Sequence, residues 1–99
     1  MPRTRETRQV VGEGGAILST AEYVDGVLDG VTRQFSASGV MTLEAHCQNG
    51  EYHVAYRSWW DTGILKEEGA FAHGKRAGIY KWYHQDGTLW SQHDYDSTL

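Results

Sequence analysis

The chain has 99 residues, 39% of them hydrophobic, with 12 glycines, four tryptophans, six tyrosines and two phenylalanines, a composition that suits one folded domain. Its net charge of −4 argues against the broad basic surface that nucleic acid or an anionic membrane requires. Cys47 is alone, which excludes an internal disulfide, no apolar run nears the ~20 residues of a membrane span, and residues 1–13 lack the apolar stretch of a secretory signal, so a cytoplasmic protein is expected.

Residues 1–14 read as an arm or edge strand, a partial repeat with Arg3, Arg5 and Arg8 crowded on it. Such an arm could meet phosphate; charge that blunts a sheet edge is the reading adopted. From Gly15 onward the chain repeats. Gly15, Gly39, Gly63 and Gly87 are spaced 24 residues apart. Two residues beyond each stand Ile17, Met41, Leu65 and Leu89, and six further on stand Tyr23, Cys47, Phe71 and Tyr95. Phe35, Trp59 and Tyr83 fill a third column. Repeats are therefore predicted over 15–38, 39–62 and 63–86, with a partial copy over 87–96 and a tail over 97–99.

Gly26, Gly50 and Gly74 form one series of turn glycines, and Gly39, Gly63 and Gly87 the other. Asp25-Gly26, Asn49-Gly50 and Asp86-Gly87 are strong turn dipeptides, since Gly accepts positive φ and Asn or Asp supports the turn. His73 stands where Asp or Asn stands in the sister turns and reads as a turn residue. Between turns lie aromatic and β-branched stretches, predicting strands over 4–11, 15–23, 30–36, 40–48, 54–61, 64–72, 78–84 and 88–95. A three-residue loop with Gly last sets Phe35 opposite Met41, Trp59 opposite Leu65 and Tyr83 opposite Leu89. The expected fold is all-β: one single-layer antiparallel meander of stacked hairpins, roughly 35–40 Å across before curling.

These columns resemble the MORN repeat, and more closely the MORN variant of bacterial antitoxin-like proteins. The resemblance is clearest over 63–87, with Leu65, Glu68, Gly69, Phe71, Gly74, Gly78, Tyr80, Trp82 and Tyr83 in the family's positions. It implies a curled sheet of MORN-type hairpins that serves as an interaction platform, and in some eukaryotic members meets lipid. This sequence departs from the pattern at Cys47 in the aromatic slot, at Val54 in the second glycine slot and at Ala21 where the third copy has Gly69.

Strand alternation assigns Ile17, Met41, Leu65, Leu89, Tyr23, Cys47, Phe71, Tyr95, Phe35, Trp59 and Tyr83, with Val31, Ala55 and Ile79, to one core face. The opposite face then carries Tyr56, Trp60, Tyr80, Trp82 and Trp90, an aromatic patch expected to bind a protein partner. Arg33, Arg57 and Lys81 recur at 24-residue steps on the core face, either laying their stems over rings such as Trp59 and Tyr83 or meeting an acidic partner. The five histidines share no column and no zinc spacing, so no metal is expected. Glu67 and Glu68 point to opposite faces and form no carboxylate pair, no catalytic signature is present, and neither an enzyme nor a cofactor is expected. The expected function is a non-catalytic protein-binding module of antitoxin, immunity or phage-inhibitor type. The alternatives are a self-assembling, dimerising repeat module and, from the resemblance alone, lipid-surface binding; contact with nucleic acid or membrane is not expected.

Overall fold

The computed structural model describes residues 3–96, so the tail predicted over 97–99 and the first two residues of the arm lie outside the described residues. Eight strands follow one another in sequence and in space: β1 (Arg5–Val11), β2 (Ile17–Val24), β3 (Val27–Phe35), β4 (Met41–Gln48), β5 (Glu51–Trp59), β6 (Leu65–Ala72), β7 (Lys75–Tyr83) and β8 (Leu89–Asp94). Every strand pairs antiparallel with the next in a single open sheet. A short 3-10 turn, Glu13–Gly15, is the one helical element among the described residues. The Cα extents of 45 × 37 × 12 Å are those of one layer.

Two kinds of turn alternate. Asp25-Gly26, Asn49-Gly50 and His73-Gly74 are two-residue turns with positive φ at both positions, near 51° and then 81–83°. That is the turn whose twist matches a hairpin. Because these turns are so tight, β3, β5 and β7 each begin three residues before the predicted strands. The other turns end on Gly39, Gly63 and Gly87, at φ 88–92°. They place Phe35 opposite Met41, Trp59 opposite Leu65 and Tyr83 opposite Leu89, as the loop geometry predicts.

Each repeat carries two bulges, and they decide the faces. One lies beside the glycine-ended turn, where the register shifts between Gln34 and Phe35, between Ser58 and Trp59, and between Trp82 and Tyr83. An extra residue in a strand reverses the alternation beyond it. Leu65 pairs with Trp59, whereas Phe71, six residues on, packs against Tyr56 and Tyr80 on the other side. The single predicted core face is therefore split. Tyr23, Cys47, Phe71 and Tyr95 share a face with Tyr56, Tyr80 and Trp82. Met41, Leu65 and Leu89 lie with Phe35, Trp59 and Tyr83 on the opposite face. Several positions predicted as core are exposed: Ile17, Leu89, Tyr95 and Ile79.

The second bulge falls in mid-hairpin at Gly30, Val54 and Gly78, with φ of 116°, 71° and 66°. Val54 is a β-branched residue in the left-handed region, where its two sister positions hold glycine. Such a conformation costs on the order of 1–3 kcal/mol. The Val54 side chain is 58% exposed, so little burial offsets that cost. Glycine at this position gives up about 0.5–1 kcal/mol in chain entropy. Val54→Gly is therefore expected to raise stability by about 1 kcal/mol, which for a chain of this size moves the Tm up by about 4–8 °C. Thermal and urea melts of the two proteins check it, and a Tm at or below that of the parent would refute the strain.

Candidate protein-binding face

The face of Tyr80 holds most of the aromatic mass. The two-residue turn at His73-Gly74 brings Phe71 opposite Arg76. The mid-hairpin bulge then swings Tyr80 over β6. Gly69 lies beneath the Tyr80 ring so closely that a Cβ built there would stand 2.2 Å from Tyr80 Cδ2. The absent side chain lets the ring lie flat on the sheet. Tyr80 is 0% exposed although no second layer covers it. Its cover comes from neighbours on the same face: Phe71 at 6.0 Å between ring centroids, Trp82 at 4.9 Å, Tyr56 at 6.3 Å and Tyr95 at 6.2 Å. Tyr52 extends the cluster through Tyr56 and Phe71 at 5.3 and 5.2 Å. The Arg76 guanidinium lies 4.9 Å over the Tyr80 ring and 5.9 Å from those of Phe71 and Trp82. A cation over a ring face is attracted by the ring quadrupole.

Glu67 is the polar centre of this face. It accepts a 2.7 Å hydrogen bond from the Ser58 hydroxyl and a longer one, 3.4 Å, from the Tyr80 hydroxyl, with Arg76 at 4.0 Å. Ser58 is buried, so its short bond to Glu67 satisfies a hydroxyl that water cannot reach. Burial pushes the Tyr56 phenol up to about 12, with the nearby Glu67 charge adding to it, and raises the Tyr80 phenol as well. Both phenols remain neutral through the physiological range. Burial also raises the Cys47 thiol, which makes it a packing residue rather than a nucleophile.

The structure brings the five residues predicted to bind a partner, Tyr56, Trp60, Tyr80, Trp82 and Trp90, onto one face, yet gives them different roles. Tyr80 is the deepest side chain described and cannot touch a partner; the expectation is corrected there. Tyr56, Trp60 and Trp82 are half-buried, and Trp90 is 65% exposed. Trp90 stacks on His84 at 5.4 Å and 25°, and with Trp82 and Ser91 it borders a hollow of about 390 Å³. Trp60 lies beneath the Lys66 ammonium at 4.8 Å and lines a polar cleft of about 520 Å³ with Tyr56, Ser58, Lys66 and Glu67. Its indole nitrogen is buried without a hydrogen-bond partner. Of the five, Tyr80 thus belongs to the core, and the open one is Trp90 at the β8 end.

The opposite face carries charge. Arg33 bonds Glu44 at 2.8 Å and Arg57 meets Glu68 at 3.6 Å, while Lys81 stands opposite Glu68 in register. These cations face carboxylates rather than the rings of Trp59 and Tyr83. Tyr83 donates a 2.9 Å hydrogen bond to Glu68. Glu67 and Glu68 do point to opposite faces, as strand alternation requires. The His53 and His73 rings lie 5.0 Å apart, with the His73 amide donating to His53 Nδ1 at 3.4 Å. Among the described residues no three His, Cys, Asp or Glu side chains gather where a metal could bind, and no helix is long and apolar enough to cross a membrane.

Reading the residues alone overlooks Arg76, Glu67 and Tyr52. The turn dipeptide could have found the first. Counting outward from His73-Gly74 pairs Ala72 with Lys75 and Phe71 with Arg76, on one face. No comparable signal marks Glu67, whose role depends on the bulge that positions Tyr80.

An open sheet of register-matched hairpins, each repeating the turns and bulges of the last, defines a β-hairpin repeat protein. Residues 76–97, which take in most of β7 and all of β8, match the family model of the MORN repeat variant. Comparison with curated proteins and with solved structures finds no match.

Proposed function

We propose that the chain is a non-catalytic binding protein that captures or occludes a protein target, in the manner of an antitoxin, an immunity protein or a phage-encoded inhibitor. The observation that carries this reading is Trp90. A large ring held two-thirds exposed, stacked on His84 and bordering one hollow with Trp82, has the form of a binding anchor. Tyr80, Phe71 and Arg76 act in this reading as the rigid base that pre-organises the anchor. The MORN-variant match supports a repeat platform whose sheet presents side chains to another molecule. The cytoplasm suits a chain with a lone, buried cysteine.

The 99-residue chain, immobilised, is expected to retain a specific protein from a bacterial lysate. Trp90→Ala is expected to weaken that capture by about 2 kcal/mol, the scale of a hot-spot aromatic. It should leave the melting curve in place, because Trp90 covers nothing in the core. Capture unchanged by Trp90→Ala, or equal loss on an exposed position of β1 such as Thr7→Ala, would count against the aromatic end as the binding surface.

A further inference from the structure

We infer that the sheet extends head to tail, with the outer edge of β8 on one copy pairing with the outer edge of β1 on a second copy of the same chain. The strands are of two kinds. β2, β4 and β6 enter a two-residue turn, and β3, β5 and β7 leave it. β1 stands one repeat before β3: its pairs Val10 with Ser19 and Val11 with Ile17 are Gln34 with Leu43 and Phe35 with Met41, each number reduced by 24. β8 stands one repeat after β6 in the same way. β8 therefore offers the edge that β2, β4 and β6 give to their turn partners. β1 offers the edge that β3, β5 and β7 give in return. Among the described residues neither outer edge carries a strand.

The register of that contact follows from the hairpins already formed. Advancing β4 by 48 residues and setting β5 back by 48 turns Leu43–Ser58 into Ser91 opposite Val10. Ala45–Tyr56 becomes His93 opposite Arg8, and Gln48–Glu51 becomes Asp96 opposite Arg3. The β2–β3 and β6–β7 pairings, moved by their own multiples of 24, also give Ser91 opposite Val10. Asp94 then falls against the segment that begins at Arg5.

Charge selects this pairing over the others. The β1 edge carries Arg5, Glu6 and Arg8, with Arg3 just before it, an excess of positive charge even though Arg5 lies 3.3 Å from Glu22 and Arg8 2.7 Å from Glu6, and the β8 edge carries Asp94, with Asp96 just beyond it. Edge charges of one sign on both strands would simply block addition. Here β1 repels β1 and β8 repels β8, while β8 attracts β1, as Arg33 attracts Glu44 within the sheet. Exposed Val10, Leu89 and Trp90 add apolar area at the same edges. The contact joins two different surfaces, so it does not close at a dimer and continues as an open series or a ring.

Sedimentation velocity on the 99-residue chain over a concentration series tests the inference. Species beyond the dimer are expected to grow with concentration and to recede in high salt. Two charge-reversed chains sharpen it: one with Asp94→Lys and Asp96→Lys, the other with Arg5→Glu and Arg8→Glu. Each alone is expected to associate at least about tenfold more weakly than the parent, because like charges then oppose at its own contact. Their equimolar mixture is expected to recover assembly, since each reversed edge meets its complement. Circular dichroism establishes that each is folded; if a reversal unfolds the chain, Asp94→Asn with Asp96→Asn replaces it and is expected to weaken association. A strict monomer at all concentrations, growth that stops at a dimer, or reversed chains that assemble singly as well as the parent or fail to recover on mixing would each overturn the inference.

Discussion

Replacing Tyr80 by alanine is expected to cost about 3–5 kcal/mol, the range for truncating a large buried ring. Domains of this kind are stable by roughly 5–15 kcal/mol in all, so the variant should be largely unfolded or close to it. The reason lies in how one layer makes a core. With no second sheet or helix above it, a side chain here is buried only by neighbours on its own face. Tyr80 touches more of them than any other ring: Tyr56, Phe71, Trp82 and Tyr95 surround it, and Arg76 lies across it. Removing the ring opens that cluster to water and leaves Arg76 without its main aromatic partner. Tyr80→Phe separates ring from hydroxyl. The hydroxyl's bond to Glu67 is long, at 3.4 Å, so its loss is expected to cost no more than about 1 kcal/mol. Urea denaturation followed by Trp fluorescence measures both. Equal losses for Phe and Ala would show that the hydroxyl rather than the ring holds the face together.

Gly69→Ala is the counterpart from below. The added methyl would meet Tyr80 at 2.2 Å from Cδ2 and at 2.7 and 2.8 Å from Cε2 and Cγ. No small adjustment relieves three such contacts, so the ring must tip off the sheet. Overpacking of a filled site costs about 1–3 kcal/mol, and the upper end applies here because tipping Tyr80 also disrupts Phe71 and Trp82. The sister positions give the control. Ala21 and Ala45 occupy the same column, opposite Thr32 and Tyr56. Ala45 is almost fully buried there with Tyr56 only half-covered, so the methyl is accommodated where the ring above it stands farther out. Ala45→Gly is thus expected to lose stability and Gly69→Ala to lose more. A neutral Gly69→Ala in thermal melts would mean that the Tyr80 ring does not lie flat on β6.

Both effects trace to one repeat column read in three versions. Ala21 under Thr32, Ala45 under Tyr56 and Gly69 under Tyr80 are its three forms along the sheet. The ring enters at Tyr56 over an alanine, and it settles fully at Tyr80, where the alanine gives way to Gly69. The aromatic core accordingly gathers in the β5–β8 half, and the β1–β3 half carries Ser19, Thr32 and Gln34 in the equivalent places. This polarity sets the fully exposed edge strand β8, with Trp90 upon it, beside the aromatic cluster of β5–β7.

The 24-residue period, the eight strands, the antiparallel order and both series of turn glycines were legible from residue identities, because each rests on local rules. A glycine after Asp, Asn or His at a regular step specifies a turn, and a turn specifies which residues oppose each other. Arg76 opposite Phe71 was within reach of the same counting. The faces were not. Alternation by twos assumes an unbroken ladder, and each repeat breaks its ladder twice. Val54 is the telling residue: it departs from glycine in sequence, yet its backbone takes the glycine conformation, so the bulge belongs to the repeat and not to the residue that occupies it.

What the amino-acid order determined by itself, then, was a ribbon of equal hairpins with rings at fixed places along it. Only the assembled sheet decided that Tyr80 lies inside and Trp90 outside. Those outcomes depend on which neighbour a bulged strand swings a side chain onto, and on whether that neighbour, like Gly69, leaves room for it.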